Sequence, residues 1–400
     1  MDDRTRRAAT RRRLVVACLL LVVLMAMLGF AAPAAHAATV TCVVAPSTIV
    51  YSAEIVVSGT TDPVAEGQEV AIDLDGIPLI TTLTDAAGAF SVAITPEKGG
   101  QVTARLIADG SVSAPLTLVV GPRLLSTRVL SRVPFGFTRL AVRLAPDTYR
   151  GTIGYRVWHN AHTVSKGSVR CRGERTVLRF KTPGVGKFKV VLTFGASGGL
   201  SERTLSTSFS IEGHRLVQGS SGAQVEALLR RLAFLRFRVP GISRTLSFNG
   251  AESIMAFQKA YRLPRTYVFD ADDWRKLDGA GVIAPRSKTP YLHIEIDKTR
   301  QILMVVRNGA VDGTIAISSG ATGNTPEGWH SVLWKAPSTT SWLGAGVLYR
   351  TMTFHGNFAI HGYFPVPPYP ASHGCVREPN WVANWTYVNS YVGEKVYVYH

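Results

Sequence analysis

Between Ala38 and about Val120, apolar and polar positions alternate in short runs. Val70, Ile72 and Leu74 interleave with Asp73 and Asp75, and Phe90, Val92 and Ile94 alternate after the turn Asp85-Ala86-Ala87-Gly88. Runs of this kind, broken about every ten residues by Gly, Pro and Asp, predict an antiparallel β-sandwich over residues 38–121. Asp73-Leu74-Asp75-Gly76 starts like a calcium loop but lacks that motif's later ligands, so it reads as a hairpin turn. Gly121-Pro122 then punctuates the chain. A second β domain follows over 122–213, clearest at Tyr155, Val157 and Lys187 to Leu192.

The period changes near His214. Val225, Leu228, Leu229 and Leu232 recur at the i, i+3, i+4, i+7 spacing of an amphipathic helix. AESIMAFQKAYRL puts Ile254, Phe257 and Tyr261 on one helical face, and a third short stretch carries Trp274 and Leu277. These predict a three-helix bundle over 214–281. Ala284 to Pro290 reads as a linker. Strands resume in YLHIEIDKTRQILMVVRNGAVDGTIAIS, with a hairpin at Thr299-Arg300 and another at Asn308-Gly309. The last domain, 289–400, is therefore mainly β.

The first 37 residues change the compartment. Six arginines precede nineteen uncharged residues, Leu14 to Ala32, and Ala35-His36-Ala37 fits a signal-peptidase site. This order predicts a secretory signal, with an uncleaved membrane anchor as the alternative. Either way residues 38–400 are expected to face outward. The leader carries six arginines and two aspartates, so +13 of the formal charge of +17 belongs to the exported part. That charge suits either a soluble basic surface or attraction to anionic wall polymers. With no compact basic run after the leader, and no zinc-finger or RNA-binding signature, nucleic acid is a poor partner. Cys18 falls in the leader, leaving Cys42, Cys171 and Cys375. Three cysteines cannot all pair within one chain, so export predicts one free thiol and, by parity, a Cys42–Cys171 bond if Cys375 is set aside.

Candidate chemistry gathers near the C-terminus, in Ser372-His373-Gly374-Cys375-Val376-Arg377. A cysteine that performs acyl transfer needs a base to make the thiolate and donors for the oxyanion. Gly374 permits a tight turn that lets successive amides converge. Pro379 suits the first turn of a helix over 380–389, which would put Cys375 just upstream of a helix N-terminus that favours the thiolate. FHGNFAIHG offers two candidate bases, His355 and His361, which on one regular strand would share a face. A Gly-rich loop, Ser318 to Gly328, lacks the ending of a phosphate-binding loop. Thr339 to Gly346 reads as an excursion around Trp342.

These pieces together resemble the L,D-transpeptidase catalytic domain from about Tyr291 to His400. The resemblance rests on His361-Gly362, Ser372 to Cys375 with Arg377, and the loop Gly320 to Gly328. It implies Cys375 as nucleophile, His361 as base held by the Gly362 backbone, and amides of His373, Gly374 and Cys375 for the oxyanion. Arg377, Ser372, Thr325, Gly328 and His355 would bind substrate, with Arg377 also holding the site and Ser372 and His373 supporting the turn, and no metal or cofactor is required. The implied reaction joins peptidoglycan stem peptides by 3→3 cross-links through a thioester. L,D-carboxypeptidase action or attachment of a protein would use the same site. Gly219 to Gly222, Leu228 to Leu232, Ile254 to Gln258 and Trp274-Arg275-Lys276-Leu277 resemble the peptidoglycan-binding domain type one, departing at Leu263-Pro264-Arg265. Both β segments resemble bacterial immunoglobulin-like domains acting as spacers. The expected fold class is thus multidomain: two all-β immunoglobulin-like sandwiches, a small α-helical bundle and a mainly-β catalytic domain. The rival reading is a wall-binding protein whose Cys375 is spent in a disulfide.

Overall fold

The computed structural model describes residues 37–344 and 346–400; the leader expectation lies outside them. Among the described residues no helix is long and apolar enough to cross a membrane. The chain divides into two units, Met1–Gly121 and Pro122–His400.

The first unit has a four-stranded sheet and a five-stranded sheet around a core that includes Ile55, Val57, Val70, Ile72 and Phe90. It is not wholly antiparallel, because Thr48–Val50 pairs in parallel with Leu116–Gly121. Asp75 and Gly76 take positive φ of 52° and 76° in the expected hairpin turn. The carboxylate of Asp73 is held by the Arg105 guanidinium at 2.8 Å. Cys42 and Cys171 are both free: the first is half-buried beside Ser113, and the second is buried with Thr176 Oγ1 3.2 Å from its sulfur. The disulfide expected from parity is therefore not formed, each thiol being packed within its own unit.

The second unit starts with a three-stranded and a four-stranded antiparallel sheet between Arg123 and Ile211. Three helices follow: α1 (Ala223–Phe234), α2 (Phe248–Ala260) and α3 (Ala271–Asp278). Helix α2 starts three residues earlier than the apolar period suggests, because Ser247 Oγ accepts the Gly250 amide as an N-cap. It stops at Ala260, where Arg262 turns left-handed (φ 59°) ahead of Pro264.

The last domain has two sheets. One contains β1 (His293–Asp297), β2 (Ile302–Arg307), β3 (Ala310–Ala316), β4 (Gly328–Ser331) and β9 (Lys395–Tyr399), in the order β3-β2-β1-β9-β4. The other runs β5 (Trp334–Thr340), β6 (Val347–His355), β7 (Phe358–Tyr363) and β8 (Val376–Pro379), followed by helix α4 (Asn380–Val388). Asn308 and Gly309 both have positive φ in the β2–β3 turn, as a tight hairpin of this sequence requires.

Strand β2 buries both faces. Leu303 and Val305 face the core between the two sheets with Ile360 and Val376, while Ile302, Met304 and Val306 pack with Leu228, Phe257 and Trp274 of the helices. The helical bundle therefore has no separate core. Burying a strand's second face is what a continuous apolar run, here ILMVV, is suited to. The expected linker is also pinned: the amides of Arg286 and Ser287 donate to the Glu295 carboxylate at 2.8 and 2.6 Å.

Candidate active site

Strands β7 and β8 run parallel, with Ile360 opposite Val376 and His361 opposite Arg377. His361 and Arg377 thus share a face, and Cys375 sits at the mouth of β8, two residues before Arg377. The Arg377 guanidinium acts electrostatically on both His361 and Cys375 and lies 4.1 Å over the Tyr363 ring. Its Nη1 also donates to the Ala371 carbonyl at 3.0 Å, which fixes it in place.

The imidazole of His361 is buried, and its Nδ1 lies 2.9 Å from the Gly362 carbonyl. A carbonyl only accepts, so Nδ1 carries the hydrogen and Nε2 keeps a lone pair. Burial, with Arg377 adding to it, holds the His361 pKa below the usual imidazole value, so the ring is neutral at pH 7. Gly362 is confined as well: a Cβ there would stand 2.5 Å from Asn380 Oδ1 and 2.9 Å from Tyr349.

The turn that carries Cys375 is held from several sides. Ser372 Oγ accepts the Gly374 amide at 3.0 Å and donates to the Cys375 carbonyl at 2.5 Å. Gly374 has φ 131°, and a Cβ there would lie 2.1 Å from the Phe358 ring, so only glycine fits. From the Gly-rich loop, Thr325 Oγ1 donates to the Gly374 carbonyl and Asn324 Nδ2 to the His373 carbonyl, both at 2.8 Å. Lys298 Nζ braces that loop through the carbonyls of Gly323 and Thr325 and the Glu327 carboxylate. Lys298 carries no local sequence signal, and Asn324 is legible only as one residue of the loop.

Several expectations change here. Thr325 is buried and bonded to the turn, so it supports Gly374 rather than meeting substrate. Gly328 opens β4 and pairs with Val398 of β9, so it belongs to the first sheet and not to the one that carries His361. His355 does not share a strand with His361, because a turn at Gly356-Asn357 (Gly356 φ 49°) separates β6 from β7. It is exposed, with its ring 4.8 Å from that of His330. The Gly374 amide is used by Ser372, which leaves the His373 and Cys375 amides as oxyanion donors; neither has a protein acceptor among the described residues. Strand β8 intervenes between Cys375 and α4, so the helix N-terminus is too far along the chain to govern the thiol. Burial instead pushes the Cys375 pKa up, against the Ala359 amide and Arg377.

Cys375 is a free thiol, half-exposed in a groove of about 460 Å3. The β5–β6 hairpin forms one wall through Trp334, Trp342 and Leu348, and Phe358, Ala359 and exposed His373 form the other. Trp342, in the expected excursion, is 80% exposed at the hairpin tip. A neutral imidazole with a free lone pair and a protonated thiol lie on one face of the paired strands, two residues apart in register, beside two unpaired amides. Such a set can move one proton and stabilise one oxyanion.

Residues 292–398 match the family of L,D-transpeptidase catalytic domains. This part of the chain is an L,D-transpeptidase catalytic domain. Among solved structures, an L,D-transpeptidase from Xylanimonas cellulosilytica is 32% identical over 46% of this chain and 98% of its own, with a TM-score of 0.45. One from Stackebrandtia nassauensis is 20% identical over 47% of this chain and 96% of its own (TM-score 0.31). L,D-transpeptidase 1 of Mycobacterium tuberculosis is 21% identical over 27% of this chain and 61% of its own (TM-score 0.23). No curated protein matches the chain.

Proposed function

We propose that the protein is an exported L,D-transpeptidase that forms 3→3 cross-links between peptidoglycan stem peptides through a thioester on Cys375. The observation that carries this reading is the parallel pairing of β7 and β8, which puts buried His361 and Cys375 on one face, two residues apart in register. His361 Nε2 takes the thiol proton as sulfur attacks the carbonyl of the third stem residue. The His373 and Cys375 amides stabilise the oxyanion. The bond to the terminal D-alanine breaks, and its nitrogen receives the proton from His361. The side-chain amine of a second stem then attacks the thioester, forming the new amide and returning the proton to sulfur.

Because burial disfavours the thiolate in the resting site, the proton leaves sulfur only as the carbon–sulfur bond forms and the negative charge passes to the oxyanion held by the two amides. In this reading the β domains space the site from the membrane, the helical segment contacts the wall, and the basic surface faces anionic wall polymers. Mass analysis of disaccharide-tetrapeptides incubated with the protein tests the function. Dimers lacking one D-alanine support cross-linking, and loss of D-alanine alone assigns hydrolysis. Unchanged substrate counts against both.

A further inference from the structure

The segment from Phe364 to Ala371 joins β7, which carries His361, to the turn that carries Cys375. Four of its eight residues are proline, so it has few amides with which to join a sheet. Side chains take its carbonyls one after another instead. Tyr267 Oη donates to Val366 at 2.5 Å, Lys259 Nζ to Pro367 at 3.1 Å, Arg265 Nη1 to Pro368 at 2.8 Å and Ser318 Oγ to Tyr369 at 2.7 Å. Three of these four donors come from the helical segment. The ring of Phe248, the first residue of α2, also meets Phe364 edge-on at 5.1 Å.

Lys259 does more than hold one carbonyl. It is fully buried near the end of α2, and its Nζ also donates to Ile317 at 2.6 Å. The next residue, Ser318, exchanges backbone hydrogen bonds with Arg377 at 2.9 and 3.0 Å. One amine thus ties together the two backbone runs that flank the Cys375 turn. A buried ammonium is costly unless its hydrogens are used, and a Met or Leu would fill the same space at less expense. Burial, with Arg265 adding to it and Glu252 opposing, lowers the Lys259 pKa to about 7. Adhesion between helices and sheet, already supplied by the shared apolar core, does not call for such a group.

We propose that Lys259, Arg265 and Tyr267 are positioning residues for acyl transfer: the helical segment grips the proline-rich strap and so sets the Cys375 turn against the strand of His361. The proposal rests on the reading of Cys375 and His361 given above, and it assigns the helical segment a role at the reaction besides any contact with the wall.

The test compares turnover of soluble disaccharide-tetrapeptide by the full exported chain and by Tyr267→Phe, Arg265→Gln and Lys259→Met. Tyr267→Phe keeps the ring and loses only the hydroxyl, so it decides the matter if Lys259→Met does not fold. Arg230→Ala, on the exposed side of α1, serves as a control that leaves turnover unchanged. Expected are kcat losses of about tenfold for Tyr267→Phe and roughly a hundredfold for Lys259→Met, with KM within about twofold, as misplacement of reacting groups produces. The rate of Cys375 alkylation by iodoacetamide should change in the same variants. Folded variants with parental kcat, or a lower melting temperature with unchanged kcat, overturn the proposal. Turnover surviving in Cys375→Ala removes the underlying reading instead, so the two failures are told apart.

Discussion

Strand β2 is buried on both faces, whereas β5, in the other sheet of the same domain, leaves most of its length in solvent. Around β2 the side chains are Ile, Leu, Met and Val, closed in by the helices on one side and the catalytic core on the other. Around β5 and its turn, Trp334, Trp342 and Val347 stand 42%, 80% and 73% exposed beside the Cys375 groove. The enclosed sheet holds none of the proposed chemistry, yet the Gly-rich loop that braces the Cys375 turn springs from its strand β3. The open sheet supplies the reacting groups and leaves room for a peptide. Rigidity and access are thus assigned to different sheets, and a backbone loop connects them.

That division can be broken at either end. The largest effect is expected at the chemistry: Cys375→Ala should abolish product, and His361→Ala should cut kcat by about 10² to 10⁴, each with a melting curve close to the parent's. Residual cross-linking in Cys375→Ala, read by mass, would mean that another group carries the acyl chain. Next comes the joint between the sheets. Gly374→Ala forces a side chain into the Phe358 ring at φ 131°, and should cost about a hundredfold in kcat; normal turnover would show that the turn relaxes freely.

In the enclosed sheet, Met304→Ala should destabilise by about 2–5 kcal/mol in urea unfolding, while the folded fraction keeps its kcat. A fall in kcat without loss of stability would contradict the separation. On the open side, Trp342→Ala should change stability by no more than about 0.5 kcal/mol and raise KM instead. The smallest effect is in protonation. Burial raises the Cys375 pKa, so iodoacetamide should gain rate at a higher pH on the folded, substrate-free protein than on the same thiol in the urea-unfolded chain. A lower midpoint in the folded protein would point to a preformed thiolate.

The parts of this site that were legible in sequence are local ones. Ser372 to Cys375 is one turn running straight into β8, and what Gly374 does depends on its own φ and its immediate neighbours. His355 was misjudged because six residues were counted along one strand, although Gly356-Asn357 is itself a turn signal. Lys259 was invisible for a different reason. In AFQKAYRL it reads as a solvated helix lysine, and only the approach of Ile317 and Pro367, 58 and 108 residues away, makes it a buried donor. Thr325 was seen but misassigned, since a threonine in a Gly-rich loop gives no hint of whether it faces solvent or the carbonyl of Gly374.

The double burial of β2 has a practical consequence for anyone cutting the chain. The family match begins at residue 292, but a fragment starting there would carry Ile302, Met304 and Val306 as a bare apolar stripe facing water. Such a stripe invites self-association of the fragment. The smallest piece expected to stay dispersed begins ahead of Leu216, the first buried residue of the apolar layer that covers that stripe.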